Sequence, residues 1–188
     1  MINEHLYEFD RSYRTGDKFL LCGVDEAGRG PLAGPVCCAA VILDESARFD
    51  CLNDSKKLAA KQREKLYDEI TGCCVAYSVV MIDNEIIDEI NILQATMLGM
   101  RQALFALSVK PDIALIDGNR VPESDVGCKA VIKGDSRSAS IAAASVIAKV
   151  TRDSYMIKLD VVFNSRGVHI NLIYSTYYTP PPRTGRLS

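Results

Sequence analysis

Phe19-Leu-Leu-Cys-Gly-Val-Asp-Glu-Ala-Gly-Arg-Gly-Pro31 is the stretch on which the reading of this chain turns. Phe19 to Val24 is a compact apolar run of strand type, and it breaks into an acid pair and a glycine-rich turn. A buried strand therefore delivers Asp25 and Glu26 to its carboxyl end. Working outward, Val36 to Leu43 reads as a second strand and Cys74 to Ile82 as a third. Between them lie the loop Leu52 to Leu58, with Ser55 as a helix cap, and a charged helix from Lys61 to Ile70. Mostly short links between these strands predict an antiparallel meander.

The pattern then changes. Asp83 to Ile90 and Ile92 to Leu107 carry helical spacing. Ile113 to Ile116 is a short strand ending at Asp117-Gly118-Asn119. Lys129 to Ile132 is another, ending at Lys133-Gly134-Asp135. Ser138 to Lys158 is alanine-rich and helical in period, with Ile141, Ala144, Ser145, Ala148 and Arg152 along one stripe. Antiparallel strands followed by strands alternating with helices predict an α/β fold, a mixed sheet flanked by helices. We expect a short helix or loose lead-in over 1–17, one domain over 18–160 and a poorly ordered tail over 161–188.

The acids fall where such a sheet puts its chemistry. Asp25, Glu26, Asp117 and Asp135 each stand at or just beyond a strand end, and functional groups of open α/β sheets collect outside the carboxyl ends of strands. A lone acid at such a place is most simply a turn or cap residue; four are harder to dismiss. Carboxylates brought together raise one another's pKa unless a cation neutralises them. Oxygen-only ligands select hard ions, Mg²⁺ or Mn²⁺. Two such ions about 3.5–4 Å apart suit phosphoryl transfer. Because neighbours in a strand point to opposite faces, Asp25 and Glu26 can share a site only if the strand ends or bulges at Glu26. Gly28-Arg29-Gly30 offers close backbone approach and a phosphate-matching side chain, but it lacks the third glycine of a dinucleotide fingerprint. Basic residues gather at Lys56, Lys57, Lys61, Arg63 and Lys65, and again at Lys133, Arg137, Lys149 and Arg152. They are either solvated helix faces or tracks for a nucleic-acid backbone. His5 and His169 belong to no nucleophilic triad.

Composition bounds the rest. The 188 residues are 48% hydrophobic and 24% charged, with a net charge of −2 and a pI near 5.7. That mix is globular, and any nucleic-acid binding must come from a local basic face. The seven cysteines are odd in number and show no C-x-x-C spacing. They are expected as reduced, buried thiols in a cytoplasmic protein rather than as disulfides or zinc ligands. Met1 to Lys18 lacks the apolar core of a signal peptide, and no apolar run is long enough to span a bilayer.

These residues resemble ribonuclease HII, the bacterial type 2 ribonuclease H. The likeness lies in Gly23–Val36, in Leu52-Asn-Asp-Ser-Lys-Lys-Leu58, in Asn91-Ile-Leu-Gln-Ala-Thr-Met97, in Leu115-Ile-Asp-Gly-Asn-Arg120, in Lys133-Gly-Asp135 and in Ser140–Asp153, in matching order and spacing across roughly residues 18–160. The resemblance implies a ribonuclease H-like fold. It implies an endonuclease that cuts the RNA strand of RNA/DNA hybrids and nicks duplex DNA 5′ of an embedded ribonucleotide, leaving 5′-phosphate and 3′-hydroxyl ends. Its four metal-binding catalytic carboxylates fall on Asp25, Glu26, Asp117 and Asp135, with Mn²⁺ or Mg²⁺ as cofactor. Gly28, Arg29 and Gly30 would meet the ribose 2′-hydroxyl. Asp153 reads as supporting, and a monomer with no membrane partner is expected. Beyond about Asp160 the family's His-Lys-Gly-Tyr-type segment is replaced by Val161-Val-Phe-Asn-Ser-Arg-Gly-Val-His-Ile170, through a shifted reading frame or a truncation. Tyr174, Tyr177 and Tyr178 do not inherit the family tyrosine's role. A binder of hybrid duplex that turns over poorly is the alternative.

Overall fold

A computed structural model describes residues 2–16, 19–31, 34–52, 55 and 58–166, with helix α4 traced by its backbone alone over 160–166. Five strands form one sheet in the order β3-β2-β1-β4-β5. β1 (Leu21–Ala27), β2 (Val36–Ile42) and β3 (Ala76–Ile82) form the expected antiparallel meander, while β4 (Ile113–Asp117) and β5 (Gly127–Val131) join β1 in parallel. The chain order of strand and helix follows the sequence pattern closely: each strand overlaps a short apolar run read from the sequence.

Alternation along the strands divides the core in two. Cys22 and Val24 of β1 and Val36, Cys38, Ala40 and Ile42 of β2 pack with α3 (Asn84–Phe105). Cys37, Ala39 and Val41 pack on the other face with α1 (Glu4–Arg11), α2 (Ala60–Cys73) and α4 (Ala139–Arg166). α3 is two helical pieces joined at Asn91, whose φ of 67° breaks the helix at the place the spacing predicts. Its side-chain Oδ1 then accepts the amides of Leu93 and Gln94, restarting the helix.

Of the two forms expected for 1–17, the short helix is the one present, as α1, and it packs on the body of the fold. Leu6 is fully buried, Tyr7 nearly so, and Phe9 and Tyr13 pack against the small cluster of Leu21, Leu115, Val131 and Ile141. At the other end α4 runs past Asp160 to Arg166, so the helix crosses the expected tail boundary. The remainder of that tail, 167–188, lies outside the described residues, as do His169 and the three tail tyrosines.

α1 also holds the start of α4. Asp10 Oδ2 accepts both the amide and the hydroxyl of Ser140 at 2.8 Å, and Ser138 Oγ accepts the Ile141 amide at 3.2 Å. These bonds satisfy amides that a helix start leaves orphaned. Burial nevertheless raises the Asp10 carboxyl above its usual 3.8, outweighing the bonds from Ser138 and Ser140. A raised folded-state pKa means the folded chain binds the proton more tightly than the unfolded chain. The resulting stability is full below 3.8 and is lost as pH rises through the folded value. Asp10→Asn keeps an acceptor for Ser140 and removes the titration. The stability of the parent relative to this variant should therefore fall as pH rises from 3.8 and then level off. Urea melts at a series of pH values read this directly, and a parallel pair of curves would refute it.

Candidate active site

The upper end of the sheet gathers the four predicted acids, though not symmetrically. β1 pairs with β4 only as far as Val24 opposite Ile116, while its pairing with β2 continues through Ala27 opposite Cys37. The expected bulge or ending at Glu26 is therefore absent: register with β2 is unbroken there. What ends is the β4 side, because β4 stops at Asp117 and Gly118 turns away with φ of 104°. Asp25 faces α4. Glu26, opposite Cys38, lies on the α3 face, 13% exposed, with its Oε1 3.2 Å from Arg29 Nη1.

Asp25 is 5% exposed and Asp135 is 8% exposed. Burial pushes the Asp25 carboxyl well above the usual carboxylate range, and the charges of Glu26 and then Asp117 push it further. The Ser145 hydroxyl and the Glu26 amide oppose the rise by donating to it, the amide reaching Oδ1 at 2.7 Å. Asp117 Oδ1 accepts the Gly134 amide at 2.6 Å, which ties the end of β4 to the turn Gly134–Ser136 that carries Asp135. Lys133 makes that turn possible by taking a left-handed conformation, φ 55°.

The donor set suits a hard divalent cation: it is all carboxylate oxygen, and its central member is held under like-charge pressure that a cation relieves. Among the described residues, however, no three His, Cys, Asp or Glu side chains are drawn into a ready ligand cluster. Glu26 is engaged by Arg29 and Asp117 by Gly134, so a cation must compete for the first of these.

Gly28 and Gly30 differ. Gly28 has φ of 111°, and a Cβ there would lie 2.4 Å from Arg152 Nε and 2.5 Å from the Pro35 carbonyl oxygen. Gly30 has open space around it and lies with Arg29 on the exposed turn. Arg152 is a correction to the basic-track reading. It is 6% exposed, and its Nε donates to the Pro35 carbonyl at 3.0 Å, binding α4 to the turn before β2. Arg63 likewise spends its charge on the Ser55 and Leu58 carbonyls, and Lys149 on Asp153 at 2.8 Å. Lys133 and Arg137 remain exposed, while Lys56 and Lys57 lie outside the described residues. Ser55 is not a helix cap: its hydroxyl meets that of Ser145 at 2.8 Å.

A groove of about 820 Å³ runs between α3 and the β4–β5 connection, with Gln94, Met97, Arg101, Asn119, Arg120 and Pro122 on its walls. None of the seven cysteines forms a disulfide. Only Cys22, Cys37 and Cys38 are buried, and burial raises all three thiols; Cys51 and Cys73 are exposed, contrary to the expectation of wholly buried thiols. Among the described residues no helix is long and apolar enough to cross a membrane.

A family model described as Ribonuclease HII matches residues 22–178, so the likeness extends past Asp160. The chain is 48% identical over 162 residues to Ribonuclease HII of Caldicellulosiruptor saccharolyticus, covering 86% of this chain and 79% of that protein. It is 52% identical over 157 residues to Ribonuclease HII of Dechloromonas aromatica, covering 84% and 80%. Among solved structures it is similar to ribonuclease H2 from Pyrococcus horikoshii, with a TM-score of 0.69, 28% identity, and 81% and 82% of the two chains covered.

Proposed function

The chain belongs to the ribonuclease HII family, and we propose from that premise that it hydrolyses the RNA strand of RNA/DNA hybrids and nicks duplex DNA 5′ of an embedded ribonucleotide. The observation that carries the reading is the buried Asp25, its charge opposed by the neighbouring Glu26 and Asp117. Asp25, Glu26, Asp117 and Asp135 would hold Mn²⁺ or Mg²⁺, which when bound activates water and stabilises the leaving 3′ oxygen.

The chain's own groups do the rest. The Gly134 amide fixes the rotamer of Asp117, and the Glu26 amide that of Asp25. Arg29 is half exposed beside Glu26, placed to meet a phosphate once substrate arrives. Arg101 and Arg120 give the groove positive charge against Glu123, a suitable wall for a nucleic-acid backbone. Gly28 and Gly30 let the backbone approach a ribose 2′-hydroxyl, the group that distinguishes RNA from DNA.

The direct test is cleavage of a labelled DNA duplex bearing one ribonucleotide, with Mn²⁺ or Mg²⁺ and with chelator. Nicking 5′ of the ribonucleotide that requires the cation is the expected result. Absence of cleavage by the folded protein would reject the activity. Gly30→Ala supplies a sharper check on the substrate turn. Its Cβ meets nothing, so the melting point should hold. Loss of a close backbone hydrogen bond is expected to lower cleavage at the ribonucleotide by about ten-fold, the equivalent of a bond worth 1–2 kcal/mol. Equal activity of parent and variant would remove Gly30 from the recognition surface.

A further inference from the structure

We propose that the β5 edge of the sheet is a second contact surface for the substrate duplex, where Lys129, Lys133 and Arg137 meet backbone phosphates on the flank of the site remote from the Gly28-Arg29-Gly30 turn. The inference rests on the duplex being the substrate, as proposed above, and names where its far arm lies. The sheet order β3-β2-β1-β4-β5 sets the geometry. The turn after β1 leads back to β2, on one side of Asp25 and Asp117. The turn after β5 carries Lys133, Asp135 and Arg137 on the other side. A nucleic-acid strand lying across the acids therefore meets both turns. Lys129 extends the line down the edge. It pairs with Leu115, and Val131, two residues on, pairs with Asp117. Lys129 thus shares a sheet face with Asp117, roughly 7 Å farther down the strands.

Two of the three cations rest on rings rather than on acids. Arg137 lies over Phe9, 4.8 Å from the ring centroid, and Lys129 over Tyr13 at 5.1 Å. The two rings meet each other at 5.3 Å. Both are half-buried and packed on the small cluster beneath β4 and β5, which fixes their position. Lys129, Lys133 and Arg137 are all exposed, and none has an acidic partner among the described residues. Elsewhere the pattern differs: Arg14, Arg48, Lys65 and Lys149 each face a carboxylate. A carboxylate neighbour cancels the field that a phosphate would feel and has to be displaced. A ring face holds the side chain through its quadrupole and leaves the charge intact. Much of the freedom of a long side chain is then lost before the duplex arrives, which lowers the cost of binding it.

The test is the salt dependence of ribonucleotide nicking by the full chain, with KM and kcat measured for the parent, Lys129→Ala, Arg137→Ala and the double variant. Lys133 is kept, because its left-handed backbone shapes the turn of Asp135. Lys110→Ala is the control, since Lys110 is exposed ahead of β4 at the opposite end of the sheet. Each phosphate contact contributes about 0.9 to the slope of log affinity against log salt. Lys129→Ala and Arg137→Ala should each flatten the plot of log KM against log salt by about one, and the double variant by about two. Their kcat and their melts should stay near the parent's, because neither side chain reaches the reacting atoms. Lys110→Ala should leave the slope alone. Phe9→Leu keeps every charge, so it should keep the slope and raise KM about two- to five-fold. A double variant with the parent slope overturns the proposal while leaving the nicking activity in place. An equal flattening in Lys110→Ala overturns it too, by marking an effect of net charge only. A folded parent that does not nick overturns the proposed activity, and this surface falls with it.

Discussion

Asp117→Asn is expected to abolish cation-dependent cleavage, by at least about a thousand-fold, while leaving the fold as stable as the parent or more so. The loss follows from removing one carboxylate of a set whose charge must balance the cation, an effect of several kcal/mol on the transition state. The preserved fold follows from the local bonding. Asp117 uses Oδ1 to accept the Gly134 amide at 2.6 Å, and an asparagine amide oxygen accepts the same bond. The added stability follows from sign. Asp117 helps hold the Asp25 carboxyl above its usual range, after burial and Glu26. Taking that charge away lets the folded-state pKa of Asp25 fall toward its unfolded value of 3.8, which reduces the unfavourable ionisation of Asp25 near neutral pH. The two readouts are the ribonucleotide-nicking assay and a cation-free melt. A variant that cleaves like the parent excludes Asp117 from the site, and one that loses activity together with its cooperative melt points to a structural role instead.

The residues differ in how plainly the sequence announces them. Asp25, Asp117 and Asp135 are legible because each closes a short apolar run, and a parallel sheet brings such ends to one edge. The break at Asn91 is legible because the apolar spacing restarts there. Glu26 stands at the sheet edge, but the strand ending or bulge expected there is absent. β1 stays regular on the β2 side, and the site opens because β4 ends first, a feature of the partner strand that β1 does not encode. Ser145 and Ser55 are hidden because a serine in an alanine-rich helix looks like packing, and the contact joins residues 90 positions apart. Arg152 is hidden the same way: its role depends on the Pro35 carbonyl, 117 positions distant. The helix of α1 is legible but its packing is not, because its apolar residues are interspersed with charge. Burial there is decided by the gap between β4, β5 and α4, which only the assembled sheet creates.

Gly23→Ala should unfold or nearly unfold the protein, although alanine is only one methyl larger and Gly23 bears no chemistry. A Cβ at this position would lie 2.0 Å from the Ser140 carbonyl carbon and 2.3 Å from the Ile141 amide nitrogen. Both are backbone atoms in the first turn of α4, so no rotamer change relieves the clash. The helix must retreat from β1. That turn is fixed from two sides, by Asp10 on Ser140 and by Ser138 on Ile141, so retreat strains these bonds as well. Overpacking in cores usually costs about 1–3 kcal/mol where side chains can adjust. Here they cannot, and a loss above about 3 kcal/mol is expected from a total of roughly 5–15 kcal/mol. Urea unfolding of parent and variant settles this: a midpoint shifted by less than about 1 kcal/mol would show that α4 slides freely over β1. The contrast with Gly30→Ala is the informative one. The same added methyl leaves stability unchanged where the chain meets solvent and is ruinous to it where a strand and a helix touch backbone to backbone.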